Sequence, residues 1–149
     1  MKTRDDTIEI TSVEELTLHA LDHTCEGLET LEADTRRCGQ ALAEQDPGGL
    51  RLLAELVTNL REFDVFEHEL CDFFSIDREA IRCADGTLRA HEEEFQFHLH
   101  SLVDKLEQGD MTGIAHMLSE NLADTLSRFR HFVPLLRDHI RHEYMDAQT

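Results

Sequence analysis

Four long stretches of the chain repeat their apolar residues at helical spacing, and short clusters of breaker residues separate them. Only two prolines and seven glycines punctuate 149 residues, which leaves little room for any fold that is not helical. The first stretch runs from about residue 13 to 45. Ser12 and Glu15 read as a capping box at its start, and Asp46-Pro47-Gly48-Gly49 ends it. The second runs from about 50 to 74. Residues 75–86 form a connector with room for one short helical piece before Asp85-Gly86. The third follows Thr87, a good N-cap, and stops at Gly109. The fourth starts near 110–112 and runs to about 145, with an expected kink at Pro134, which lacks a backbone donor.

Four long helices on short loops imply antiparallel neighbours. The expected fold is all-α: an up-down-up-down four-helix bundle in one domain over residues 1–149, with residues 1–11 as an N-terminal arm. A helical hairpin pair that dimerises is the bare alternative. Apolar residues make up 40% of the chain, enough for a core. The formal net charge of −18 argues against nucleic acid and anionic lipid as partners. No apolar run approaches the roughly 20 residues of a membrane helix, and MKTRDDTIEI lacks the apolar stretch of a secretory signal. The expected location is the cytoplasm. The four cysteines show no CxxC spacing and read as reduced core or flank residues.

Function is written in the polar residues that fall on apolar stripes. In the first helix Leu21, Leu28, Leu31, Cys38 and Leu42 line up, with His23 at the edge and His19 facing water. In the second, Glu67 interrupts the line of Leu53, Leu56, Leu60, Phe63, Leu70, Cys71 and Phe74, with Asp64 close by and His68 on the flank. In the third, His91 and His98 share a face with Leu88, Phe95, Leu99, Leu102 and Leu106, and Glu94 borders it. In the fourth, His139 and Glu143 continue the line of Ile114, Leu118, Leu122, Phe129, Phe132, Leu136 and Ile140. A carboxylate in a helix seam is costly unless it is paired or bound to a metal. In an antiparallel bundle the early turns of helices one and three meet the late turns of two and four. His23, Glu67, His91, His139 and Glu143 are therefore expected to gather at one end. Such nitrogen and oxygen ligands suit iron, manganese or zinc. His19, His100, His116 and His142 read as surface residues, and Glu92-Glu93-Glu94 as mainly a solvated face.

The stretch FVPLLRDHIRHEY at Phe132–Tyr144 resembles the last helix of the hemerythrin-like (HHE cation-binding) family, where an HI dipeptide precedes a carboxylate by one turn. LDH at 21–23 resembles that family's first-helix histidine. Phe63–Glu67 falls where the family carries HxxxE, and His91–Phe95 where it carries HxxxH. The resemblance implies a non-haem iron site of one or two ions that binds dioxygen or serves in redox or metal sensing. Phe63 and Phe95 stand where it places histidines, and neither can ligate, so a complete di-iron set cannot form. Asp64, His68, Glu94 and His98 are the nearby substitutes. Binding or sensing is expected rather than turnover. A weak di-metal oxidase using Glu94 and His98 is one alternative. The other is a metal-free degenerate bundle that acts through its acidic surface as a regulatory or protein-interaction module; a protein partner or a homodimer is the expected assembly.

Overall fold

The computed structural model describes residues 13–145. Ser12 and the N-terminal arm lie outside the described residues. Helix α1 spans Val13–Ala43 and α2 spans Gly49–Phe73. A two-residue antiparallel ribbon follows, β1 (Arg82–Cys83) with β2 (Gly86–Thr87), in the register Arg82 with Thr87 and Cys83 with Gly86. Helix α3 is Leu88–Gln108. The fourth segment is composite. It comprises α4 (Met111–Met117), a π-helical turn (Leu118–Leu122), α5 (Ala123–Phe129), α6 (Val133–Ile140) and a second π-helical turn (Arg141–Met145).

Three helices end in the same way, and only one end uses glycine. A Schellman cap needs a left-handed residue after the helix, with the next amide reaching back five residues. At the end of α1, Gln45 has φ 59° and Asp46 N donates to Ala41 O at 2.9 Å. At the end of α2, Ser75 has φ 51° and Ile76 N donates to Cys71 O at 2.9 Å. At the end of α3, Gly109 has φ 71° and Asp110 N donates to Lys105 O at 2.9 Å. Ile76 is buried, so the second cap turns the connector inward. Thr87 caps α3 as expected, its Oγ1 accepting from Ala90 N at 3.1 Å. Asp110 caps α4 through Gly113 N at 2.9 Å.

The connector forms the ribbon where the sequence had suggested a helical piece. His131 and Asp85 tie it to the fourth segment at 2.7 Å. Pro134 also behaves differently from expectation. It stands in the first turn of α6, after a break at residues 130–132, so it opens a helix and does not bend one. That is the helix position where a missing N–H costs least.

The stripes read from the sequence are the core. Leu21, Leu28, Leu31, Cys38 and Leu42 of α1 are buried, as are Leu53, Leu56, Leu60, Leu70 and Cys71 of α2. Ile114, Leu118, Leu122, Phe129, Phe132, Leu136 and Ile140 of the fourth segment are buried throughout. Helix α1 packs on α2 and along the fourth segment, and α3 packs on the fourth segment. Side chains rather than close backbone approach link α2 to α3.

Candidate metal centre

Glu67 is 3% exposed and Glu92, on the facing helix α3, is 8% exposed. Two carboxylates this deep need a compensating charge or proton. Arg78, delivered by the connector, supplies one charge: its Nε lies 2.9 Å from Glu92 Oε1 and 3.0 Å from Oε2. Its Nη2 donates to Asp72 at 3.1 Å and to the His68 carbonyl at 3.4 Å. On the other side, Cys71 Sγ donates to Glu67 Oε2 at 3.4 Å. Burial first, and then the adjoining Glu92 carboxylate, push Glu67 up to about 9. The same burial, with the two carboxylates beside it, raises the Cys71 thiol.

Two groupings with metal-ligating geometry share Glu67. Asp64, Glu67 and His68 each bring one ligand atom within 4.8 Å of the others, and so do Glu67, Cys71 and Glu92. His68 Nδ1 sits 3.3 Å from Glu67 Oε1 and 2.9 Å from the Asp64 carbonyl oxygen. Asp64 is also held across the seam, where Gln96 Nε2 donates to both of its carboxylate oxygens at 2.7 Å.

Glu67, Glu92, Asp64 and His91 line one small cavity of about 10 Å³, closed by phenylalanines that include Phe63 and Phe95. That is about the space of one water or one ion. Phe63 and Phe95 meet edge to face with ring centres 5.8 Å apart. His91 is 6% exposed and packs beside Phe129 and Phe132. Its Nδ1 is a buried polar atom with no hydrogen-bond partner among the described residues. Burial, and then the Arg128 cation, hold His91 down to about 4, so the ring is neutral near pH 7.

The expected gathering of five residues at one end is only partly realised. Glu67 and His91 come together. His23 is an exposed residue of α1, 3.9 Å from Glu26. It follows Leu21 by two residues, which is about 200° around the helix, so the stripe passes it by. Glu143 is exposed and His139 is half-buried. Both line a separate surface depression with Arg82, Asp138 and His142. His139 precedes the buried Ile140 by one residue, about 100° around α6, so it stands beside the stripe, and Glu143, four residues on, keeps to that same outer face.

The remaining substitutes divide. Asp64 and His68 join the cluster, whereas Glu94 and His98 belong to a separate network. Glu94 takes both arms of Arg128 and accepts from Thr125 Oγ1 at 3.0 Å, and His98 Nε2 lies 3.4 Å from it. Hydrogen bonding from Arg128 lowers Glu94 to about 2. The solvated-face reading of Glu92 needs correction. Glu92 stands four residues after Leu88 and three before Phe95, on the buried line of α3, and that spacing was the signal for it. Arg78 carried no such signal, because the turn that brings it back is built by Ser75.

A larger groove of about 460 Å³ between α1 and α2, walled by Leu28, Leu31, Phe63 and Phe66, contains no buried ionisable group. All four cysteines are free thiols. No helix among the described residues is long and apolar enough to cross a membrane. The chain matches no family model, no curated protein and no solved structure.

Proposed function

We propose that this chain is a cation-binding protein of the hemerythrin-like kind. It would be an up-down-up-down bundle that holds one non-haem metal ion, iron first with manganese or zinc as alternatives, in the seam between α2 and α3. The ion would serve to bind or sense a small ligand such as dioxygen. The supporting observation is a buried carboxylate pair, Glu67 and Glu92, beside a buried His91 nitrogen that lacks a partner among the described residues. Arg78 compensates only one of the two charges, and a divalent ion would supply the rest. Phe63 and Phe95 fill the seam where a second ion would need ligands, so the reading is one ion. They also keep bulk water away, which favours a protected site.

A second reading has its own observation. A proton on Glu67 also neutralises the cluster, and the Cys71 thiol already donates to that carboxyl. The chain would then be a metal-free bundle that acts through its acidic surface.

Metal content separates the two. The full chain is purified without a His-tag from iron-supplemented medium, and iron, manganese and zinc are measured per chain. The first reading expects close to one ion per chain, with most of it lost in Glu67→Ala. Trace metal in the wild-type protein would overturn it in favour of the second.

A further inference from the structure

Cys71 lies one helical turn after Glu67 on α2 and is fully buried. Its Sγ is 3.4 Å from Glu67 Oε2. A tetrahedral ion with sulfur at about 2.3 Å and oxygen at about 2.1 Å keeps the two ligand atoms about 3.6 Å apart. The pair therefore stands close to ligating separation. Glu92 brings a third atom from α3, within 4.8 Å of both. Its carboxylate has lone pairs to spare beyond those facing Arg78.

Three ligands leave a fourth position, and the cavity lined by Glu67, Glu92 and His91 is where it would open. A buried imidazole nitrogen with no partner among the described residues is costly to leave unsatisfied and marks a place where a polar atom belongs. The charges also close: two carboxylates and one thiolate against one guanidinium and a divalent ion sum to zero.

We propose that Cys71 is a metal ligand, forming with Glu67 and Glu92 a sulfur–oxygen triad for one borderline divalent cation, with a water at the fourth position hydrogen-bonded to His91 Nδ1. The proposal rests on the metal-binding reading above and adds the sulfur atom and the class of metal. Binding exchanges the thiol's S–H for a sulfur–metal bond and displaces the proton that Glu67 holds in the metal-free chain, so both protons pass to solvent. A thiolate in the set selects zinc, cobalt(II) or iron(II) over magnesium and calcium, which prefer oxygen alone.

Cobalt(II) tests it, because thiolate ligation gives a near-ultraviolet charge-transfer band. The chelator-treated full chain is titrated with cobalt(II) and the bound metal is counted after dialysis. The expected result is one cobalt per chain with the band present. Zinc should abolish the band and magnesium should not. Cys25→Ser, Cys38→Ser and Cys83→Ser keep the band, whereas Cys71→Ser loses it and binds at least ~10-fold more weakly. The wild-type spectrum reports sulfur ligation directly, and the other three variants assign the sulfur even where Cys71→Ser does not fold. One cobalt per chain without the band overturns the proposal but leaves a metal site of oxygen and nitrogen ligands such as Asp64 and His68. A wild-type chain that retains no cobalt, zinc or iron overturns both.

Discussion

Where α1 meets the fourth segment, Gly39 lets the backbones approach until an added Cβ would lie 2.4 Å from Ser119 Oγ and 3.0 Å from the Ala115 carbonyl oxygen. Where α2 meets α3, the link is instead a set of polar bridges: Asp64 with Gln96, Glu67 beside Glu92, and Arg78 folded in from the connector. The first seam is fixed by shape, because close-packed side chains leave little freedom in the spacing. The second is held apart by hydrogen-bonded groups and contains a small void. A bundle needs only the first kind of seam to fold. The second kind adds desolvation cost and contributes little that a row of leucines would not, so its retention is what directs attention to function.

The contrast predicts that the apolar seam responds to lost volume. Leu118, fully buried with its Cβ 3.3 Å from where a Cβ on Gly39 would stand, is the natural probe. Leu118→Ala is expected to cost about 4 kcal/mol, as transfer and cavity terms add. The measurement is the shift in urea midpoint at unchanged slope. A loss below ~1 kcal/mol would show that this seam is slack and the contrast false.

The polar seam should respond to lost charge instead. Arg78→Ala removes the cation facing Glu92 and is expected to destabilise by about 3 kcal/mol, less than a fully buried pair because the Arg78 side chain keeps 14% of its exposure. Adding Glu92→Gln should recover most of that loss, since the stranded charge is then gone. The double-mutant cycle checks this. No recovery would mean that Arg78 acts by packing alone.

Sequence legibility follows the same division. The apolar seams were readable because stripe spacing and burial are the same information, as Leu21 through Ile140 demonstrate. Thr87 and Gly109 were readable because side-chain chemistry dictates those caps. Gln45 and Ser75 were not, since neither residue type favours a left-handed backbone and tertiary packing imposes it. At the site, Glu67 and His91 were legible from the stripe. Glu92 was hidden inside an acidic run, and Arg78 depended on the Ser75 turn. His23 and Glu143 show the opposite error, where a plausible ligand type outweighed the angle it occupies. A two-residue offset from Leu21 takes His23 off the stripe, and Glu143 follows His139, itself one residue off the stripe, to the outer face.

The smallest expected effect, that of Glu67→Gln at pH 5, is also the most diagnostic. In chelator-treated protein the unfolded Glu67 carboxyl loses its proton near the ordinary value of 4.5, while burial and the neighbouring Glu92 hold the proton in the folded chain until about 9. Between those values the folded state binds a proton that the unfolded state lacks. Its contribution to stability is therefore fully present below about pH 4.5 and is lost progressively as pH rises towards 9. Glu67→Gln keeps the shape of the protonated carboxyl and an oxygen to accept from Cys71. It should change stability by less than ~1 kcal/mol at pH 5 and flatten the decline above it. Urea midpoints measured from pH 5 to 9 on both proteins decide the matter. Parallel curves would mean that Glu67 ionises in the folded chain as easily as in the unfolded one. The polar seam would then already balance its charge, and its case for holding a cation would lose the imbalance it depends on.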